Sequence, residues 1–237
     1  MDMDALQPVT AVDGDRRPAR APWWFRLALV VLGLAGWFGT QKLIGERAFP
    51  EHGIGDKLLE WSAPANDFLQ EHPAWADGLL IVSSALIDAL GIFLLTRSIF
   101  GPTIRPFLGL LLLFGLRQIC QGLCALPQPD NIIWRNPGFP SLLVTYEVAN
   151  DFFFSGHTAI AVFGAVELVR LRWRWLVPVA VGVALFQSGA VLVLRAHYTM
   201  DVFTGAVTAL LVALVVNHLA PLCDQALARA FAGLRTR

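Results

Sequence analysis

Apolar residues along the chain fall into long runs separated by short polar breaks. A helix needs ~20 largely apolar residues to cross the hydrocarbon, with every backbone polar group satisfied inside the segment. Six stretches meet that description: 24–44, 78–96, 104–126, 153–170, 175–194 and 202–219. They predict an all-α, polytopic membrane helix bundle with six transmembrane helices. A polar tail over 1–22 precedes the 23–220 membrane domain, and a tail over 221–237 follows it. Two long connectors interrupt the pattern. The first, 45–77, is too polar to span, yet IGDKLLEW and ANDFLQEH carry apolar residues at helical spacing and predict short helices on the membrane surface. The second, 127–152, contains Pro127, Pro129, Pro137, Gly138 and Pro140 and reads as irregular loop.

Composition agrees with a bilayer as solvent: 56% of the 237 residues are hydrophobic and only 15% charged, far more apolar than soluble domains. Net charge is zero, so nothing global points to nucleic acid, and the position of the charges becomes the informative quantity. Basic loops stay in the cytoplasm. With six spans both termini share a side, which collects Arg16, Arg17, Arg20, Arg26, Arg97, Arg105, Arg170, Arg172, Arg174, Arg229, Arg235 and Arg237. The opposite side holds only Lys42, Arg47, Lys57, Arg135 and Arg195 and is expected to face the periplasm, lumen or exterior. Arginine greatly outnumbers lysine, a bias that suggests a bacterial inner membrane. The N-terminus lacks an apolar core with a cleavage site, so no signal peptide is expected. Cys120, Cys124 and Cys223 show no paired spacing and read as small apolar residues.

Chemistry concentrates in two segments, NDFFFSGHTAIAVFGA and VLRAHYTMDVFTGA. A chain that enters by the fourth span and leaves by the fifth returns to its starting side, so His157 and His197 are expected at one membrane face. His197 and Asp201 are four positions apart, a spacing that puts them on one helical face. Phosphoryl transfer requires a nucleophile, a proton donor for the leaving alcohol and donors for the non-bridging oxygens. His197 is the expected nucleophile, Asp201 its orienting partner and His157 the acid and base. Ser155, Gly156 and Thr158 stand where a helix starts and suit an anion; Arg195 offers a fork to phosphate oxygens. Asp151 is a candidate to assist the acid/base step, whereas Glu147 reads as a solvated loop acid. Asp88 and Arg117 lie inside spans, where charges need partners or a wet cavity. They are candidates to pair with each other, with Arg117 also placed to hold phosphate. Two histidines and a carboxylate could bind a metal, but no metal-ligand spacing accompanies them, and neither metal nor cofactor is expected. The basic aromatic run RLRWRW reads as a cytoplasmic loop with interfacial tryptophans.

These residues resemble the phosphatidic acid phosphatase type 2 superfamily: SGHT at 155–158 looks like its second motif, and His197 with Asp201 like its third. Two positions depart from the phosphatases. Ser98 stands where their first motif has a lysine, seven before Arg105, and Val191 where their third has an arginine, six before the histidine. The transferase branch is closer. LRQIC at 116–120, LPQPD at 126–130, FFFSGH and RAHYTMD resemble in order and spacing the plant-type phosphatidylcholine:diacylglycerol cholinephosphotransferases, and DFFFSGHT resembles sphingomyelin synthases. The likeness covers 116–205. It implies a six-span fold and metal-free transfer of phosphocholine, or another phospho-alcohol, from a membrane phospholipid donor to a lipid-alcohol acceptor such as diacylglycerol. Hydrolysis of phosphatidate-like or polyprenyl phosphates, and non-catalytic lipid binding, are the competing expectations.

Overall fold

The structure is a computed structural model and describes residues 23–45, 54–144, 146 and 152–235. Asp151, Glu147 and the 1–22 tail lie outside the described residues. Eight helices occur in the order α1 (Trp23–Gly45), α2 (Lys57–Trp61), α3 (Ala63–Glu71), α4 (Pro73–Phe100), α5 (Arg105–Leu123), α6 (Gly156–Val169), α7 (Leu176–Val193) and α8 (Thr199–Arg235), with no strand among the described residues. The chain divides into two compact units, Met1–His52 and Gly53–Arg237. In the first, α1 is an apolar helix whose described side chains are exposed, including Trp24, Leu32, Trp37 and Phe38.

In the second unit, α4, α5, α7 and α8 are long and apolar enough to cross a membrane, so the chain is an integral membrane protein. Among the described residues four helices qualify, which does not confirm the six expected spans, and α6, with 14 residues, is too short to qualify. The shortfall in α6 has a local cause. Hydropathy runs through Phe152–Phe154, but Ser155 takes an extended conformation and its hydroxyl accepts the amide of Thr158, fixing the helix start at Gly156. At ~1.5 Å per residue α6 measures about 21 Å, less than the ~30 Å hydrocarbon.

Short connections at 101–104, 170–175 and 194–198 make consecutive helices antiparallel neighbours. α6 is the axis of the unit, packing chiefly on α7 and α8 and also on α4 and α5. Phe163 of α6 is wholly buried, and its ring occupies the space over Gly109 of α5, where an added Cβ would lie 2.0 Å from Cζ. Between α4 and α7 the attraction is polar. Buried Ser83 donates its hydroxyl to Gln187 Oε1 at 2.6 Å, and Gln187 Nε2 returns a bond to Ser83 O at 2.7 Å. Such paired bonds join helices where no water competes.

The short helices expected in 54–72 are α2 and α3. Asp56 caps α2 by accepting the amides of Leu58 and Leu59, and buried Asn66 of α3 donates to Val193 O at 2.8 Å, fastening α3 to the end of α7. α8 continues past the apolar limit at 219 to Arg235, with Pro221 inside it.

The connector after α5 does more than cross between helices. Near the start of α4, Arg135 pairs with Asp77 at 2.7 Å. Farther on, the amides of Leu142 and Leu143 donate to the two oxygens of Asp88 at 2.8 and 2.9 Å. Asp77 and Asp88 are eleven residues apart on α4, so the connector descends about 16 Å along that helix. Irregular backbone at such depth needs internal partners, and Asp88 supplies them. The possible Asp88–Arg117 pair is thereby replaced: Asp88 holds the connector, while Arg117 Nε donates to Phe154 O at 2.9 Å.

Candidate active site

The turn from α7 to α8 carries His197 to the start of α6. Ser155 N donates to Asp201 O at 3.1 Å, joining the first turns of α6 and α8 through their backbones. Gly205 makes the approach possible, since a Cβ there would lie 2.6 Å from Ser155 O. A backbone oxygen cannot swing aside as a side chain can. Gly205→Ala should therefore cost about 1–3 kcal/mol by overpacking and lower activity with it, measurable by thermal unfolding and turnover of the same sample.

His157 and His197 line one cavity of about 50 Å³ together with Arg117, Gly156, Phe114, Trp134, Phe152, Leu143 and Val144. A water needs ~10–15 Å³ on this measure, so the space is on the scale of a phosphate group. Gly156 and His157 are the first two residues of α6, and N–H groups at these positions have no intrahelical acceptor. The missing side chain of Gly156 matters here: a Cβ would stand 3.2 Å from Arg117 Nε, so glycine lets the guanidinium lie against the helix start. A cation beside open amides favours an anion at this point.

The two imidazoles are held differently. His197 Nδ1 is 2.8 Å from Phe152 O and 3.7 Å from Asp201 Oδ2. The carbonyl accepts only if Nδ1 carries the proton, which leaves the Nε2 lone pair available. Fully buried Asp201 receives the amide of Tyr198 on Oδ2 at 2.9 Å, while its Oδ1 has no partner among the described residues. The residue that directly fixes the ring is thus Phe152 through its backbone, with the carboxylate just behind. His157 packs edge-on against Trp134, ring centroids 5.2 Å apart, and its Nε2 is buried with no hydrogen-bond partner among the described residues.

Of the expected phosphate-binding residues, Gly156 and Arg117 are brought into the cavity. Ser155 and Thr158 stand behind it: the serine hydroxyl caps α6, and the buried Thr158 hydroxyl has no partner among the described residues. Arg195 is not among the cavity-lining residues. At φ 54° it directs Nη1 to Asp130 O at 3.2 Å and Nη2 to Leu59 O at 3.4 Å, tying the α7–α8 turn to the connector and α2. Asp151 lies outside the described residues. Among the described residues, no group of three His, Cys, Asp or Glu side chains is placed to hold a metal ion.

Several supporting residues escape sequence reasoning. Asp56, besides capping α2, accepts the amide of Thr199 at 2.6 Å and its hydroxyl, so the start of α2 anchors the start of α8 two residues from His197. Its place before an apolar run marks it as a cap; nothing in the sequence marks the long-range bond. The neighbouring Tyr198 phenol is held above its usual range by burial first, then by Asp130, Asp201 and Asp56. Trp134 links His157 to Tyr146, whose hydroxyl meets Ser84 of α4.

Asp88 acts on the cavity indirectly, because the connector it holds supplies Leu143 and Val144 to the wall. Leu143 sits over Gly91, whose added Cβ would lie 2.2 Å from its Cδ1. Asp88→Ala removes two bonds to a charged acceptor, each worth about 1.5–3 kcal/mol. The variant should lose activity mainly through a raised KM as the wall loosens, and Asp88→Asn, which keeps one acceptor oxygen, should recover part of it. Equal kinetics for Ala and wild type would show that the clamp is dispensable.

Comparison with the curated proteins and with the solved structures finds no match. A family model described as AtPDCT1/2, the phosphatidylcholine:diacylglycerol cholinephosphotransferases, matches residues 57–219. The match extends from α2 into α8 and includes every residue described in the cavity. It covers well over half of the chain, which therefore belongs to the AtPDCT1/2 family of lipid phosphotransferases.

Proposed function

We propose that the protein moves phosphocholine, or a similar phospho-alcohol, from a phospholipid to a lipid alcohol such as diacylglycerol by two successive displacements at His197. The observation that carries this reading is the shared cavity of His157 and His197, with Arg117 against the open start of α6. In the first displacement His197 Nε2 forms a bond to phosphorus as the bond from phosphorus to the glyceryl oxygen breaks, and His157 gives that oxygen its proton. In the second, His157 takes the proton of the acceptor hydroxyl, a new P–O bond forms and the N–P bond breaks. Arg117 and the amides of Gly156 and His157 stabilise the charge gathering on the non-bridging oxygens. Phe152 O and Asp201 keep the imidazole in the required tautomer and favour its positive charge as the phosphohistidine forms.

The reaction is read as taking place just below one membrane surface, at the start of the short α6, with the lipid phosphate entering laterally. That surface is the non-cytoplasmic one in this reading, since Arg97, Arg105, Arg170, Arg172 and Arg174 fall at the other ends of the helices. The bacterial inner membrane suggested by composition receives no support from the match, whose family carries a plant name.

The experiment is a purified-protein assay with a phospholipid labelled in its head group, with and without added diacylglycerol. Label passing to a second lipid, and dependent on the acceptor, is the expected result. Release of free phospho-alcohol or inorganic phosphate at the same rate without acceptor would make water the acceptor and the protein a hydrolase.

A further inference from the structure

At the opposite end of α6 a second cleft opens between α6, α8 and the start of α5. Its volume is about 230 Å³, and its lining includes Arg105, Val166, Arg170, Leu210, Leu214 and Asn217. Arg170, the residue that ends α6, is thirteen residues from His157, about 20 Å along the helix. The cleft is therefore separate from the transfer cavity.

Two features describe what would fill it. The first is an excess of positive charge. Arg105 is buried, pairs with Glu167 and donates Nη2 to Ala213 O at 3.0 Å. Its Nε and the Nη1 of Arg170 then converge on one neutral atom, Asn217 Oδ1, at 3.2 and 3.1 Å. Arg170 has no carboxylate partner among the described residues, and no carboxylate lines the cleft. Asp224, two turns farther along α8, is engaged by the hydroxyl of Thr103 at 2.6 Å and the amide of Ile104 at 2.9 Å. Arg170 is exposed, so two guanidiniums meeting at one amide oxygen beside hydrocarbon leave a positive charge open to an added anion. The second feature is the wall. Leu210 and Leu214 are exposed, one turn apart on α8, and run from the polar end toward the bilayer interior. A phosphate at Arg170 with an acyl chain along these leucines satisfies both features, whereas a soluble anion satisfies only the first.

We propose that this cleft binds an anionic phospholipid, its phosphate held by Arg170 and Asn217 and its acyl chain laid along Leu210 and Leu214. The bound lipid joins α5, α6 and α8 in the leaflet opposite the histidines. The test is thermal unfolding of the full chain in detergent, with added phosphatidylglycerol, phosphatidylcholine or inorganic phosphate. Phosphatidylglycerol should raise the wild-type Tm by about 5 °C and the other two should not. Arg170→Gln should lose that shift while Arg174→Gln, an exposed arginine of the adjoining loop outside the cleft, keeps it. Leu214→Trp should also lose it by filling the cleft with Arg170 intact, which covers the case of an Arg170 variant that does not fold. Equal shifts from phosphatidylglycerol and phosphatidylcholine, an equal shift from inorganic phosphate, equal losses in Arg170→Gln and Arg174→Gln, or a full shift in Leu214→Trp would each overturn the proposal.

Discussion

Alanine at His197 should lower head-group transfer by roughly 10⁴–10⁶-fold, the scale on which a covalent nucleophile is missed, while the protein stays folded with a Tm lower by several degrees. The imidazole of His197 is buried but makes one close side-chain bond, Nδ1 to Phe152 O. Its loss leaves one carbonyl unpartnered, a cost of about 1–3 kcal/mol at most. Activity and folding should therefore separate: a folded protein with a modestly lowered unfolding temperature, and negligible turnover. His197→Gln separates the roles further, because an amide can still donate to Phe152 O but cannot act as nucleophile. It should restore stability and not activity. Turnover within tenfold of wild type in either variant would remove His197 from the reaction.

The second large effect belongs to His157. General acid–base catalysis contributes typically ~10²–10⁴-fold, and His157→Gln should lose that much with natural phospholipids, whose leaving group is a poor alkoxide. The loss should depend on the leaving group. With a nitrophenyl ester of phosphocholine the departing phenolate needs no proton, so His157→Gln should release nitrophenol in a burst near the wild-type rate. The burst should then stall, because the acceptor still has to be deprotonated. His197→Ala should show no burst with the same substrate. Because the two histidines act on one phosphorus, the double variant should be scarcely worse than His197→Ala alone. A uniform loss in His157→Gln with both kinds of donor would show that this residue only shapes the cavity.

The helices were legible wherever hydropathy and chain stops coincide. The runs at 104–126 and 175–194 end within a few residues of α5 and α7, and the short helices in 54–72 followed from apolar spacing alone. The antiparallel return from α6 to α7 followed from span order, and with it the meeting of His157 and His197. Hydropathy misled where a backbone device overrides it. Phe152–Phe154 are as apolar as a span, but the Ser155 cap starts α6 after them. At the other extreme α8 continues as helix beyond its last apolar run.

Long-range polar partners were harder to read for a different reason. Asp88 in mid-span announces that some partner exists, yet the partner proves to be two backbone amides of the connector, and amides carry no sequence signature. Phe152 O is the same case: spacing pointed to Asp201 as the group that orients His197, while a carbonyl forty-five residues earlier stands closer. Arg195 has the right charge and lies two residues from His197. Its positive φ and the carbonyls of Asp130 and Leu59 turn it away from the cavity, a direction set by three separate segments and invisible in any one of them.

The central claim is that the head group resides on His197 between donor and acceptor. Rapid acid-free quenching of the wild-type enzyme with labelled phospholipid, followed by peptide mass spectrometry under alkaline conditions, tests it directly. The expected result is a peptide containing His197 that carries the phospho-alcohol, absent in His197→Ala and lost when diacylglycerol is added before the quench. Transfer proceeding at full rate with no modified peptide, or with the label on another residue, would contradict it.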